Sequence, residues 1–108
     1  MPLNNCPIQC ATPKLLAADA SRTFVTGVAN KKIRIVSIGW VWQTAAAQVV
    51  TIRATDGTAY FRFPASYPVN SANELQFETE LPAGESLEAV PAAAGPAADF
   101  VVRYQLVD

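Results

Sequence analysis

The sequence predicts an all-β chain: an antiparallel β-sandwich, jelly-roll-like, of about eight strands with an extended N-terminal arm. Three observations predict it. Apolar and polar residues alternate with period two through most of residues 14–108. Turn-forming residues punctuate that alternation at short intervals. No segment carries a helical period; the alanine-rich Thr44–Gln48 is long enough for one turn only. At 108 residues and 11.5 kDa the chain is one domain.

Residues 1–13 hold three prolines and no alternation and read as an extended arm, with residues 14–108 as the sandwich. Arms of this kind order only when something ties them down, so this one is expected against its own domain or a neighbour. Leu15–Ala18 reads as a first edge strand and Asp19-Ala20-Ser21 as a turn. Arg22–Val28 follows as a strand in which Gly27 permits a bulge, and Asn30-Lys31 turns the chain again. Lys32–Trp42 is the longest strand signal. Ile33 and Ile35 share one parity and Val36, Ile38, Trp40 and Trp42 the other, so a β-bulge is expected at residues 35–36.

Asp56-Gly57 predicts a two-residue type I′ hairpin. That turn pairs Thr55 with Thr58, Ala54 with Ala59, Ile52 with Phe61 and Val50 with Phe63. It places six apolar residues on one side and sets Thr51 by Arg62 and Arg53 by Tyr60 on the other. Residues 64–73 read as a loop. Glu74–Thr79 is a strand with Leu75 and Phe77 inward. Leu81–Glu85 is a turn, Ser86–Val90 a short strand and Pro91–Ala98 a small-residue loop. Asp99–Val107 is the last strand, with Phe100, Val102, Tyr104 and Leu106 inward and Arg103 and Gln105 outward.

Composition narrows the function classes. Eight basic residues against nine acidic leave a net charge of −1, without the basic excess of a nucleic-acid binder. There is no histidine, which removes the commonest general base and metal ligand, and every Ser-His or Cys-His arrangement with them. No phosphate-binding or dinucleotide motif occurs. The expectation is a non-enzyme with no catalytic residue, cofactor or metal. Glu74, Glu78, Glu80, Glu85 and Glu88 are the carboxylates open to a glycosidase reading. Glu74 and Glu78 alternate on the outward side of a strand, as on a solvated face. Cys6 and Cys10 lie three residues apart, not at zinc or redox spacing, and read as two reduced thiols, with a short-loop disulfide as the alternative. The start has neither basic nor apolar signal regions, and no apolar run approaches a membrane span, so synthesis in a cytoplasm without membrane association is expected.

Nineteen residues are alanine and 16% are charged, against roughly 25% in an ordinary soluble domain. Such a surface suits partial cover by neighbours. The small or rigid side chains of the arm and of the Pro91–Ala98 loop suit close contact. The candidate interface is therefore Pro2, Leu3, Cys6, Pro7, Ile8, Cys10 and Pro13, with Pro91, Pro96 and an outward Tyr60. Trp40, Trp42, Tyr60 and Tyr67 are the candidates for a sugar-stacking platform, although the tryptophans share the parity of core residues. Seven of the eight bases lie in Lys14–Arg62 and seven of the nine acids in Glu74–Asp108. Either copies meet head to tail, basic edge on acidic edge, or the halves interleave and neutralise within one chain.

The proline-containing arm, the Leu81-Pro82-Ala83-Gly84-Glu85-Ser86-Leu87 turn-strand, the small-residue loop and the closing Phe100-Val101-Val102-Arg103-Tyr104-Gln105-Leu106-Val107 strand appear in that order. This layout resembles the small jelly-roll virion proteins of tailed bacteriophages, above all capsid decoration (cement) proteins. The Cys6/Cys10 pair has no counterpart in it. The resemblance implies a structural virion protein that binds major capsid protein or another virion protein and stabilises the head. It implies a homo-oligomer, a trimer first. A tail, neck or head-fibre component and a carbohydrate-binding module are the alternatives.

Overall fold

A computed structural model describes residues 7–44, 48–63 and 72–108. Nine strands run through them: β1 (Gln9–Ala11), β2 (Lys14–Leu15), β3 (Arg22–Val25), β4 (Lys32–Trp42), β5 (Val50–Ala54), β6 (Ala59–Phe63), β7 (Ala72–Glu80), β8 (Leu87–Pro91) and β9 (Ala98–Val107). No helix occurs among the described residues. The front sheet has the order β1-β9-β4-β7, with β2 also paired to β9; the back sheet is β3-β8-β5-β6, and all pairings are antiparallel. The chain changes sheet at every connection from β2 onward except β5 to β6. That winding is a jelly roll, as the alternation and turn spacing predict.

Strand β4 carries the expected bulge. Ile35 pairs with Tyr104 and Ser37 with Arg103, leaving Val36 as an extra residue against β9. Paired residues share a face, so Ile33, Ile35, Ile38, Trp40 and Trp42 all turn inward with Leu106, Tyr104, Val102, Phe100 and Ala98. Tyr104 and Leu106 are half-buried and pack on the core, as does Leu75 of β7. Gln105, on the opposite side of β9, is nonetheless buried. The side chain of Phe77 lies outside the described residues.

The two sheets meet through aromatic rings. Phe63 of β6 stands edge-on to Trp40 at 4.7 Å and to Trp42 at 5.2 Å, and Trp42 is edge-on to Phe100. Phe24 of β3 lies 4.5 Å from Phe100. Each such pair adds about 0.5–1.5 kcal/mol beyond area burial. The buried Trp40 indole N–H has no acceptor among the described residues. That costs about 1–3 kcal/mol, less than the roughly 4–6 kcal/mol from burying a tryptophan ring.

The hairpin differs from expectation at its tip. Gly57 N–H donates to Ala54 O, Ala54 N–H donates to Thr58 O, and Gly57 alone takes positive φ, at 97°. The loop therefore has three residues, closed by a left-handed glycine, where a two-residue type I′ turn was expected. Asp56 keeps negative φ and accepts the Thr58 N–H on its own carboxylate, which favours this turn. Arg53 consequently pairs with Ala59, which is exposed instead of inward, and Tyr60 becomes an extra residue. That second irregularity restores the expected partners Ile52–Phe61 and Val50–Phe63.

Smaller differences have local causes. Leu16–Ala18 is not strand: Asp19 accepts the Leu16 N–H on its carboxylate and returns its own N–H to Leu16 O, closing a turn one residue after β2. The back-sheet irregularity falls between Thr23 and Val25, not at Gly27. Gly27 instead lets two turns touch, since a Cβ there would stand 2.3 Å from the Gly84 carbonyl. Thr44–Gln48 and the 64–73 loop fall largely outside the described residues, although Ala72 and Asn73 already belong to β7.

Phe63→Ala is expected to lower unfolding free energy by about 3–5 kcal/mol in urea titration, the usual cost of emptying a buried aromatic site. Phe61→Ala should cost less, because Phe61 is only half-buried. Gly27→Ala is expected to lose about 1–3 kcal/mol in the same assay, because backbone must move to admit the methyl group.

Candidate interaction surfaces

The winding sends the described residues of the inter-sheet connections 16–21, 43–44, 48–49 and 92–97 to one end of the sandwich. These 16 described residues include seven alanines and a single charge, Asp19. The opposite end carries Lys31, Asp56, Glu85 and Asp108. Hydrogen bonds tie the described parts of this end together. Gly95 N–H donates to Ala17 O at 2.8 Å and Ala92 N–H to Val49 O at 2.8 Å. Ala97 O accepts from Gln43 N–H, and Thr44 Oγ1 accepts from Ala97 N–H at 3.0 Å. Leu16 is 50% exposed there and Val49 37%.

Asp19 holds the Leu16–Asp19 turn in place. The Leu16 N–H, then the Arg22 guanidinium at 3.1 Å, keep its carboxyl below the usual carboxylate range. The lone charge is thereby neutralised beside the apolar surface.

Beside this end, the outer side of the front sheet has a hollow of about 430 Å³. Gly39 leaves it open, Val41, Val101 and Ala72 line it, and Asp99 and the Glu74–Arg103 ion pair (2.9 Å) rim it. The Glu74–Arg103 pair cancels its own charge, and the Gln43 amide donates to the Asp99 carboxylate.

The interface residues expected from sequence fall in separate places. Pro2, Leu3 and Cys6 lie outside the described residues. Pro7, Ile8 and Cys10 are exposed, Cys10 as a free thiol on β1. Pro13 is half-buried, and its carbonyl accepts the Phe100 N–H at 2.9 Å. The described arm therefore lies along its own domain as an edge strand. Pro91 and Pro96 are buried within the chain, so Ala92–Gly95 form the surface of that loop instead. Tyr60 is half-buried at the hairpin irregularity and packs on the core, not outward beside Arg53. Its burial, and then the charges of Asp56 and Glu85, raise the phenol pKa above the ordinary value.

Trp42 is fully buried and Trp40 nearly so, which takes both rings out of any sugar platform; Tyr67 lies outside the described residues. Glu74, Glu78 and Glu88 are bound to Arg103, Arg34 and Arg53. Glu80 is exposed on β7 and Glu85 sits in the turn before β8. Lys31–Asp108, Arg34–Glu78 and Arg53–Glu88 each join a base of the first half to an acid of the second. The halves interleave and neutralise within one chain. The alanine-rich end was missed in sequence because its segments are dispersed; only the strand order gathers the described ones.

Asp19→Asn is expected to destabilise the fold at neutral pH. A lowered folded-state pKa contributes stability that is present above the unfolded-state value and lost as pH falls through the folded one. The difference between wild type and variant in urea titrations should therefore shrink as pH drops below 3.8, the ordinary aspartate value. No family model matches this sequence and no curated protein matches it either, so the geometry above carries the functional reading.

Proposed function

We propose that this chain is a structural virion protein: a capsid decoration protein that binds major capsid protein or another virion protein and stabilises a phage head as a homo-oligomer. The observation that carries the reading is the alanine-rich end, with Asp19 as its single charge, built by the described residues of the inter-sheet connections. Small side chains over a hydrogen-bonded backbone allow close approach to a broad protein surface. Little side-chain entropy is lost on contact, and almost no charge must be desolvated. Backbone bonds already join the described loop segments to one another, which lowers the cost of binding further.

Size supports the oligomer. The molecule measures 43 × 24 × 17 Å, and its long axis suits β4, which is itself about 36 Å long. One end thus presents about 400 Å², half of what one partner contributes to a standard interface. A single copy would hold weakly. Several copies bound as a unit gain by effective concentration, so an oligomer is the economical attached form.

The test mixes purified protein with phage heads assembled without it. Saturable co-sedimentation and a higher temperature of DNA release are expected. Leu16→Asp, a change at an exposed position, should abolish both while leaving the thermal unfolding of the protein near wild type. No retention of the wild-type protein, or full retention of the variant, overturns the reading.

A further inference from the structure

Gly39 lies inside β4, the strand between β9 and β7. Glycine weakens a strand interior because it brings no side chain to pack. It is used there for a bulge, for a tight bend or for close approach of another group. The first two do not apply. Gly39 keeps extended backbone, and its register is regular on both sides, with Glu74 on β7 and Val101 on β9. The fold does not need the space either. Among the described residues, the nearest atoms to a Cβ at Gly39 are the Asn73 carbonyl oxygen and Glu74 Oε2, both at an ordinary 3.8 Å. At Gly27, by contrast, a Cβ collides with backbone. Close approach from outside the chain is the reason that remains.

The surroundings say what approaches. Gly39 lies between Val101 and Glu74 on the outer side of the front sheet, and two residues on Val41 lies between Asp99 and Ala72. These residues line the hollow of about 430 Å³, and Val41 is 39% exposed there. The charged groups around it are already engaged. Glu74 Oε2 accepts from Arg103 Nη1 at 2.9 Å. Asp99 accepts from the Gln43 amide and stands across from Lys14 of β2. An incoming cation would compete with Arg103 for Glu74, and an incoming anion with Glu74 for Arg103. A neutral side chain displaces neither. The Glu74 contact also holds the Arg103 guanidinium beside the apolar floor, and a guanidinium held in this way stacks on an aromatic face. A ring laid over a strand glycine covers the bare backbone as well.

We infer that this hollow seats an aromatic side chain of the virion protein that the chain binds, its ring on Gly39 between Val41 and Val101 and beside Arg103. The inference rests on the proposed function and names one contact of that interface. The hollow is continuous with the alanine-rich end, because Val41 stands two residues before Gln43, where that end begins. Area agrees. The end alone presents about 400 Å², half of one partner's share of a standard interface. The four strands β2, β9, β4 and β7 span about 19 Å, and the four residues from Gly39 to Trp42 about 13 Å, which adds about 250 Å². A single aromatic anchor in such a hollow, ringed by small side chains, is the usual form of an interface hot spot.

The hollow is tested first without a partner. N-acetyltryptophanamide titrated into the full chain should move the NMR methyl signals of Val41, Val101 and Ala72 upfield and saturably, as a ring above them requires. N-acetyllysinamide should leave them in place. Gly39→Val fills the hollow with a good strand former, so its unfolding midpoint should match or exceed wild type. The probe shifts should vanish in it, and retention by phage heads assembled without the protein should fall by more than about tenfold. Gly39→Ala, whose methyl meets only ordinary contacts, should act in the same direction by a smaller factor. Shifts spread evenly over the surface, equal shifts with the lysine amide, or shifts that survive Gly39→Val overturn the inference. Heads that retain Gly39→Val like wild type overturn it too, and leave the proposed function standing on the Leu16→Asp result. A wild-type oligomer that Gly39→Val reduces to single chains makes a second copy the occupant and also overturns it. Heads that retain no wild-type protein overturn the proposed function, and the virion occupant with it, while the probe still reports on the hollow.

Discussion

The architecture depends on one irregularity in one strand. β4 lies between β9 and β7 at the centre of the front sheet, and its large apolar residues do not keep a single parity. A regular strand would send Ile33 and Ile35 to one side and Ile38, Trp40 and Trp42 to the other. Val36, set as an extra residue against β9, turns all five to the same side. Without that shift, either the tryptophans or the two isoleucines would face solvent, and the back sheet would have half a core to pack on. The neighbour absorbs the same irregularity differently. Between Thr79 and Gln76, β7 has two residues where β4 has only Val36. Glu78, in that widened step, reaches Arg34 at 2.8 Å.

The inward tryptophans meet Phe63 and Phe100 near the end where the connections cross between sheets. The aromatic cluster thus sits beneath the alanine-rich surface. At the other end the turns are held by closer devices: Gly27 against the Gly84 carbonyl, the Gly27 N–H on Ser86 Oγ at 2.8 Å, and the Lys31–Asp108 ion pair. The charges gather there and along the outer faces, where ion pairs between exposed groups add little stability. Their effect is chiefly to cancel charge within the subunit. This leaves Asp19 as the single charge among the described residues of the alanine-rich end, the surface proposed for a capsid partner.

The Asp56-Gly57 hairpin shows how a local rule can be wrong and its consequence right. The dipeptide favours a two-residue turn, yet Asp56 bonds forward to Thr58 and the loop takes three residues. Alone, that shift would have turned Phe61 and Phe63 outward. Burial does not permit it, and Tyr60 takes up the extra residue. The hydrophobic face decided the register, and the turn adapted to it.

Period-two alternation, turn residues and the parity break in β4 were enough to determine an all-β sandwich, its strands to within a few residues, the β4 bulge and the inward tryptophans, because each depends on near neighbours in the chain. Tertiary structure alone decided that Gln9–Ala11 lies as a strand on β9, that Pro91 and Pro96 are buried, and that Gln105 is covered. It also brought the described parts of separated loops to one end. These features come from contacts between segments far apart in sequence, and alternation specifies which side of a strand is apolar but not which strand will lie beside it.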